Sequence, residues 1–169
     1  TIMNYSQFLL NTLFIGFSMG VAPVIGFNYG SDNIGRQKRI LNSCLRFIFL
    51  TSFGIFAMSY FGGSIIVKMF ADSKSNVFYL ATEGFKLFSI GFIFCGLNIF
   101  TSSMFTALSN GKVSALLSFL RTFAFLTIAI LVLPRIWGVT GIWLAIPFAE
   151  AMAFILSLFF IRKQLKYYN

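Results

Sequence analysis

The sequence predicts an all-α fold, a polytopic transmembrane bundle of about five membrane-spanning helices. Hydrophobic residues make up 58% of the 169 residues and charged residues only 10%, whereas a soluble domain carries about 25% charged residues. Apolar stretches of about 20 residues recur five times, and about 20 helical residues cross a bilayer core of about 30 Å. The stretches are apolar on all sides, unlike membrane β-strands, which alternate in polarity.

The predicted spans belong to one transmembrane domain, residues 1–169. They cover residues 8–29, 47–67, 87–108, 113–133 and 136–161. Asp32 is the expected N-cap of the helix after span one, and Pro134–Arg135 separates spans four and five. We expect residues 36–45 to form an amphipathic helix on the membrane surface and residues 68–86 to form a long connection.

Basic residues flank the spans unevenly, and this asymmetry predicts the orientation. Seven lie on one side of the predicted topology and three on the other, or four with Lys86. The two groups are Arg36, Lys38, Arg39, Lys112, Arg162, Lys163 and Lys166, and then Lys68, Lys74 and Arg135. The richer side is expected to be cytoplasmic, with the C-terminus on it. The net charge of +9 thus indicates membrane loops and no nucleic-acid partner.

Missing residue types exclude several classes of activity. The chain has no histidine, which excludes His-based triads and His-ligated zinc. Cys44 and Cys95 lie 51 residues apart in apolar stretches, so no redox or zinc motif is available. The segment 110–113 lacks the glycine and Ser/Thr of a phosphate-binding loop. We therefore expect no enzyme, no catalytic residue, no cofactor and no bound metal.

Prolines mark two positions where helices are expected to bend. Span one contains Pro23 among four glycines, and span five contains Pro147. The glycines of span one include two G-x-x-x-G pairs, which let helices approach closely in lipid. Either this segment is packed tightly for structural reasons, or it is a kinked helix that flexes between two states of a transporter.

Small and polar residues form a stripe along span three. They recur every three or four residues, which places them on one helix face: Gly91, Cys95, Asn98, Ser102, Thr106 and Ser109. Asn98 and Ser102 either hydrogen-bond to a neighbouring helix or line a cavity for substrate. Asn28, near the end of span one, is a further candidate for that cavity.

Two charges are expected inside the membrane, Arg121 in span four and Glu150 near the centre of span five. Burying either costs about 3 kcal/mol on insertion scales, so such groups pair or line a wet path. In one interpretation the two residues form an ion pair that holds spans four and five together. In the other, Glu150 lines the substrate cavity and titrates or coordinates a coupling cation.

Three segments, taken in order, resemble one family of transporters. Residues 20–30 read GVAPVIGFNYG and precede the basic cluster 36–39. Residues 107–121 contain ALSNGK and then LLSFLR, and residues 138–147 read GVTGIWLAIP shortly before Glu150. Together they resemble the multidrug and toxic compound extrusion (MATE) family, and the first segment looks most like its bacterial MepA-like drug exporters.

The resemblance implies helices eight to twelve of a twelve-helix protein, so that this chain is the C-terminal lobe without its first helix. It implies a secondary exporter that works by alternating access in the bacterial cytoplasmic membrane. Amphipathic or cationic drug-like molecules would leave in exchange for Na⁺ or H⁺, and the partners would be lipid and the missing N-terminal lobe.

One departure bears on ion coupling. Asn98 stands where some branches of the family have an acidic residue, and an amide cannot titrate. Two alternatives to a drug exporter stay open: a lipid-linked saccharide flippase of the wider superfamily and a non-transporting structural subunit. A flippase cavity needs several cations to hold a diphosphate, whereas only Arg121 lies well inside a span.

Overall fold

The structure, a computed structural model, describes residues 2–31, 33–69, 72 and 74–168. Helices account for nearly all of these residues, and no strand occurs among them. The elements are α1 (Ile2–Gly30), α2 (Ile34–Lys68), α3 (Asn76–Ser89), α4 (Gly91–Ala107), α5 (Gly111–Phe119), a π-helical turn (Leu120–Phe125) and α6 (Leu126–Tyr167). The all-α prediction is confirmed.

The start of α2 differs from the prediction. Asp32 lies outside the described residues, and Asn33 caps the helix because its Oδ1 accepts a hydrogen bond from the Arg36 backbone N at 3.0 Å. From there α2 continues unbroken for 35 residues. Residues 36–45 are thus the first turns of a long helix and not a separate surface element.

The connection predicted between spans two and three contains a helix of its own. Helix α3 begins after Ser75, whose Oγ accepts from the Phe78 backbone N at 3.2 Å. It meets α4 at a bend of 48°. At that bend a Cβ on Gly91 would lie 3.4 Å from Pro147 Cα, so the backbones of α4 and α6 pass close to each other there.

The chain reverses at Gly138, where φ is +56° and ψ is −133°. This backbone region is essentially restricted to glycine. It divides α6 into a first arm, residues 126–137, and a second arm, residues 139–167. A Cβ on Gly141 would overlap the carbonyl of Leu133, so the arms run closely side by side. The sequence predicted the reversal at Pro134–Arg135, three residues too early.

Among the described residues, three helices are long and apolar enough to cross a membrane, and one bent pair of helices is a fourth candidate. Helices α1 and α2 each qualify alone, and α3 with α4 qualifies as one bent pair. The continuous stretch Gly111–Tyr167 has 57 residues, about 86 Å at roughly 1.5 Å per residue. This length exceeds a single crossing, and the stretch folds back at Gly138; the five predicted spans stay a prediction.

Helix α4 lies at the centre of the bundle, in contact with every other α-helix. A Cβ on Gly96 would overlap the Ser52 hydroxyl and the Phe14 ring. The absence of a side chain at Gly96 therefore lets α1 and α2 pack directly against the backbone of α4. Apolar burial drives little association in lipid, and close packing of this kind stabilises membrane bundles instead.

The glycines of α1 predicted close packing against neighbouring helices, and only one of the four shows it. A Cβ on Gly26 would lie 3.3 Å from the Ala107 carbonyl oxygen, whereas Gly16, Gly20 and Gly30 have nothing within 4 Å. The helix continues through Pro23 from Ile2 to Gly30.

Candidate functional site

Two opposite charges meet inside the bundle. Arg121 Nη2 lies 2.8 Å from Glu150 Oε1, and Arg121 Nε donates to Oε1 and Oε2 at 2.9 and 3.0 Å. The side chains are 18% and 6% exposed, respectively. An unpaired charge at this depth is costly, and the ion pair offsets that cost by cancelling both charges. The pair joins the π-helical turn to the second arm of α6.

Asn98 of α4 completes the shell around the carboxylate. Its Nδ2 donates to Glu150 Oε2 at 2.7 Å and to the Glu150 carbonyl at 2.9 Å. Its Oδ1 accepts from Ser157 Oγ at 2.9 Å. Both ends of the amide therefore hold the second arm of α6, at positions two turns apart on that helix.

Cys95, one turn before Asn98, extends the network to α1. Its Sγ donates to Asn11 Oδ1 at 3.0 Å and accepts from Arg121 Nη2 at 3.4 Å. Four elements thus converge on one neutral cluster, which we call the Glu150 network: Asn11, Cys95, Asn98, Arg121, Glu150 and Ser157.

The position of Arg121 depends on a local change of helix type. Residues Leu120–Phe125 form a π-helical turn within an otherwise α-helical passage. Such turns are rare and occur often at functional sites, because the wider turn changes where side chains point. Here the turn contains the arginine of the ion pair.

Ser102 belongs to a second polar cluster, between α4 and α5. Its Oγ lies 2.9 Å from Ser114 Oγ and 2.7 Å from Ser118 Oγ. Thr106 Oγ1 lies 2.8 Å from Ser114 Oγ. Each helix contributes hydroxyls four residues apart, which places them on one face. The cluster therefore connects two helices directly by hydrogen bonds.

A cavity of about 10 Å³ separates the hydroxyl cluster from the Glu150 network, and its lining includes Asn98, Ser102, Ser118, Arg121 and Ser157. Its volume suits a single water molecule. Both carboxylate oxygens of Glu150 already accept hydrogen bonds. A proton or cation that reaches Glu150 must therefore compete with the guanidinium of Arg121. No group of three or more potential metal ligands occurs in the described part of the chain.

Asn28 lines a different cavity, of about 290 Å³, together with Gln37 and Tyr168. Its Nδ2 donates to the Val24 carbonyl at 2.7 Å. Gln37 is 1% exposed and lies beside the Tyr168 hydroxyl. Tyr168 accepts from Gln164 Nε2 at 2.8 Å. Burial raises the pKa of the Tyr168 hydroxyl, and this hydrogen bond partly opposes the rise.

The candidate residues thus divide among three places. Asn98 and Glu150 share the Glu150 network with Arg121, Ser102 lies in the hydroxyl cluster, and Asn28 lies in the separate cavity. Of the prolines, Pro147 is buried against Gly91, and Pro23 lies within continuous α1.

Four residues of these sites were not predicted from the sequence: Asn11, Gln37, Ser157 and Tyr168. Gln37 and Tyr168 lie among many polar residues near helix ends, where a single polar residue carries no signal. The hydroxyls of Ser114 and Ser118 could have been found, because their spacing of four matches that of Ser102 and Thr106.

A family model described as MatE matches residues 1–133. The chain belongs to the MatE family. Members of this family are transporters, and the chain is a multi-pass membrane protein of the family. No curated protein sequence matches it significantly.

Three solved structures share the fold. The MATE multidrug transporter DinF-BH, solved in complex with a ligand, is 24% identical with a TM-score of 0.84, over 93% of this chain and 35% of that one. An inward-facing multidrug resistance MATE family transporter of the MOP superfamily is 18% identical with a TM-score of 0.81, over 98% and 40%. An outward-facing one is 17% identical with a TM-score of 0.85, over 99% and 39%. This MatE chain therefore spans well under half of each.

Proposed function

We propose that this MatE chain forms one lobe of a secondary multidrug exporter that works by alternating access. Family membership supports transport, and the likeness to a multidrug transporter solved in complex with a ligand supports drug-like substrates. The exported molecules are amphipathic or cationic, and they exchange for Na⁺ or H⁺. The MepA-like subgroup remains a prediction.

One observation carries this proposal. The bundle matches an inward-facing transporter with a TM-score of 0.81 and an outward-facing one with 0.85, over nearly its whole length in both cases. A lobe that moves as a rigid body keeps its internal fold in both states, which is what alternating access by rocking lobes requires. The Glu150 network and central α4 supply that internal rigidity.

Substrates meet this lobe on its outer faces. Asn98 and Glu150 are 3% and 5% exposed, so they hold the lobe together and do not touch drug directly. Exposed Phe and Met side chains offer adaptable apolar contacts, which suits broad substrate choice. The drug cavity then forms between this bundle and the rest of the transporter.

The neutral Glu150 network also bears on ion coupling and on the flippase alternative. Because Arg121 already neutralises Glu150, coupling through this carboxylate requires the ion pair to open. The same pairing leaves no free arginine inside the described bundle to hold a diphosphate, which favours a drug exporter over a flippase.

The excess of Lys and Arg on one side supports a cytoplasmic C-terminus in a bacterial inner membrane. Cysteine accessibility from each side of sealed vesicles tests this orientation. Labelling of a cysteine in place of Lys166 from the outside would contradict it.

Cross-linking within the lobe tests the rigid-body mechanism. The variant carries Thr106→Cys and Ser114→Cys, whose oxygens lie 2.8 Å apart in the native protein, in a background with Cys44→Ser and Cys95→Ser. Drug efflux is measured in vesicles under Na⁺ or H⁺ gradients, before and after reduction. We expect full efflux with the disulfide formed. A block that reduction relieves would refute a rigid lobe, and no drug efflux in the uncross-linked protein would refute the exporter.

A further inference from the structure

The second arm of α6 has one packed face and one uncovered face. Its buried residues follow helical spacing along the inner side: Ala149, Ala153, Ser157 and Ile161. On the opposite side Ile155 and Phe159 are 59% and 62% exposed. No described residue covers this outer side.

The uncovered face forms a groove whose lining changes from apolar to cationic along the helix. The groove has a volume of about 510 Å³ and is lined by Phe154, Ile155, Leu158, Phe159, Arg162, Lys163 and Lys166. All seven lie on one stripe at spacings of one, three and four residues. The first four are apolar and the last three are cationic. The cations are exposed, and they form no ion pair or hydrogen bond with any described residue.

The length of the stripe matches one leaflet of a bilayer. From Phe154 to Lys166 there are twelve residues, about 18 Å at roughly 1.5 Å per residue. Half of a bilayer core is about 15 Å thick. When the cations lie at headgroup level, the apolar part of the groove therefore lies at the depth of acyl chains.

We propose that this groove binds an anionic phospholipid. The headgroup phosphate lies against Arg162, Lys163 and Lys166, and one acyl chain lies along the apolar part. Arginine presents a fork of donors that fits phosphate oxygens, and each basic residue at a membrane surface favours anionic lipid. A soluble phosphate would leave the apolar part uncovered. The inference concerns lipid binding alone and does not depend on drug export.

Two triple variants and one charge-preserving variant test the proposal. The first removes the groove cations, Arg162→Gln with Lys163→Gln and Lys166→Gln. The matched control removes three cations from the start of α2, Arg36→Gln with Lys38→Gln and Arg39→Gln. The third, Leu158→Trp, fills the groove without changing charge. Native mass spectrometry of the purified protein measures bound phosphatidylglycerol against phosphatidylethanolamine.

We expect one phosphatidylglycerol to bind preferentially to the native protein and to the α2 control. Affinity should fall about fivefold for each groove cation removed, roughly a hundredfold in all, and Leu158→Trp should also lose the lipid. Equal losses in the two triple variants would indicate general attraction to basic residues and overturn the proposal. Cross-linking of a cysteine in place of Ile155 to protein rather than to lipid would also overturn it, because another segment would then cover the groove.

Discussion

Removing one charge of the ion pair between Arg121 and Glu150 should destabilise the bundle far more than removing both charges together. Arg121→Met leaves Glu150 buried, with Asn98 as its remaining side-chain donor. Breaking a buried pair in this way costs about 3–5 kcal/mol of unfolding free energy. In Arg121→Met with Glu150→Gln, no charge remains and the Asn98 amide still has an oxygen to bind. The double variant should therefore be about 2 kcal/mol more stable than Arg121→Met alone.

The assay is reversible unfolding in mixed detergent micelles, monitored by tryptophan fluorescence. Arg135→Met is the matched control, because Arg135 is exposed and forms no ion pair with any described residue. It should change the unfolding free energy by no more than about 0.5 kcal/mol. The reasoning is refuted if Arg121→Met is as mild as this control, or if the effects of the two substitutions simply add.

Three further predictions use the same preparation. Asn98→Ala loses its bonds to Glu150 and Ser157 and should lower the unfolding free energy by about 2–3 kcal/mol; a loss below about 0.5 kcal/mol would contradict the network. Gly138→Ala, at φ +56°, should cost about 1–3 kcal/mol, whereas Gly16→Ala, with open space around it, should cost nothing. Tyr168 has a raised pKa, so the folded state holds its proton more tightly and its contribution to stability, complete below pH about 10, is lost as pH rises further. Tyrosinate absorbance during a pH titration should show this late ionisation, and Tyr168→Phe should remove it; a normal titration would contradict burial.

The ion pair could be anticipated from the sequence, because charges are so rare in these spans that each needs a partner. The same logic applies to Asn98, a midplane amide with few alternatives. The sequence could not choose which helices would meet at Glu150, nor reveal the π-helical turn that presents Arg121. That choice depends on packing between segments far apart in the chain.

Burial within the membrane was harder to predict than polarity. Phe92, Phe100 and Met104 face away from the polar stripe of α4, and the sequence left open whether they meet lipid or protein. All three are at most 2% exposed, because α4 is surrounded on every side. Apolar side chains are equally suited to lipid and to a protein interior, so periodicity does not separate the two.

The turn between the two arms of α6 was also predicted only approximately from the sequence. Pro134 and Gly138 are both of a residue type that commonly interrupts helices, and the neighbouring sequence does not indicate at which of the two the chain turns back. The chain reverses at Gly138 because a positive φ there costs glycine little. Moving the reversal from Pro134–Arg135 to Gly138 lengthens the first arm by about one turn. In the resulting hairpin, Ala129 and Leu133 of the first arm lie in one buried cluster with Ala145 of the second arm. The position of Gly138 thus sets which residues of the two arms face each other.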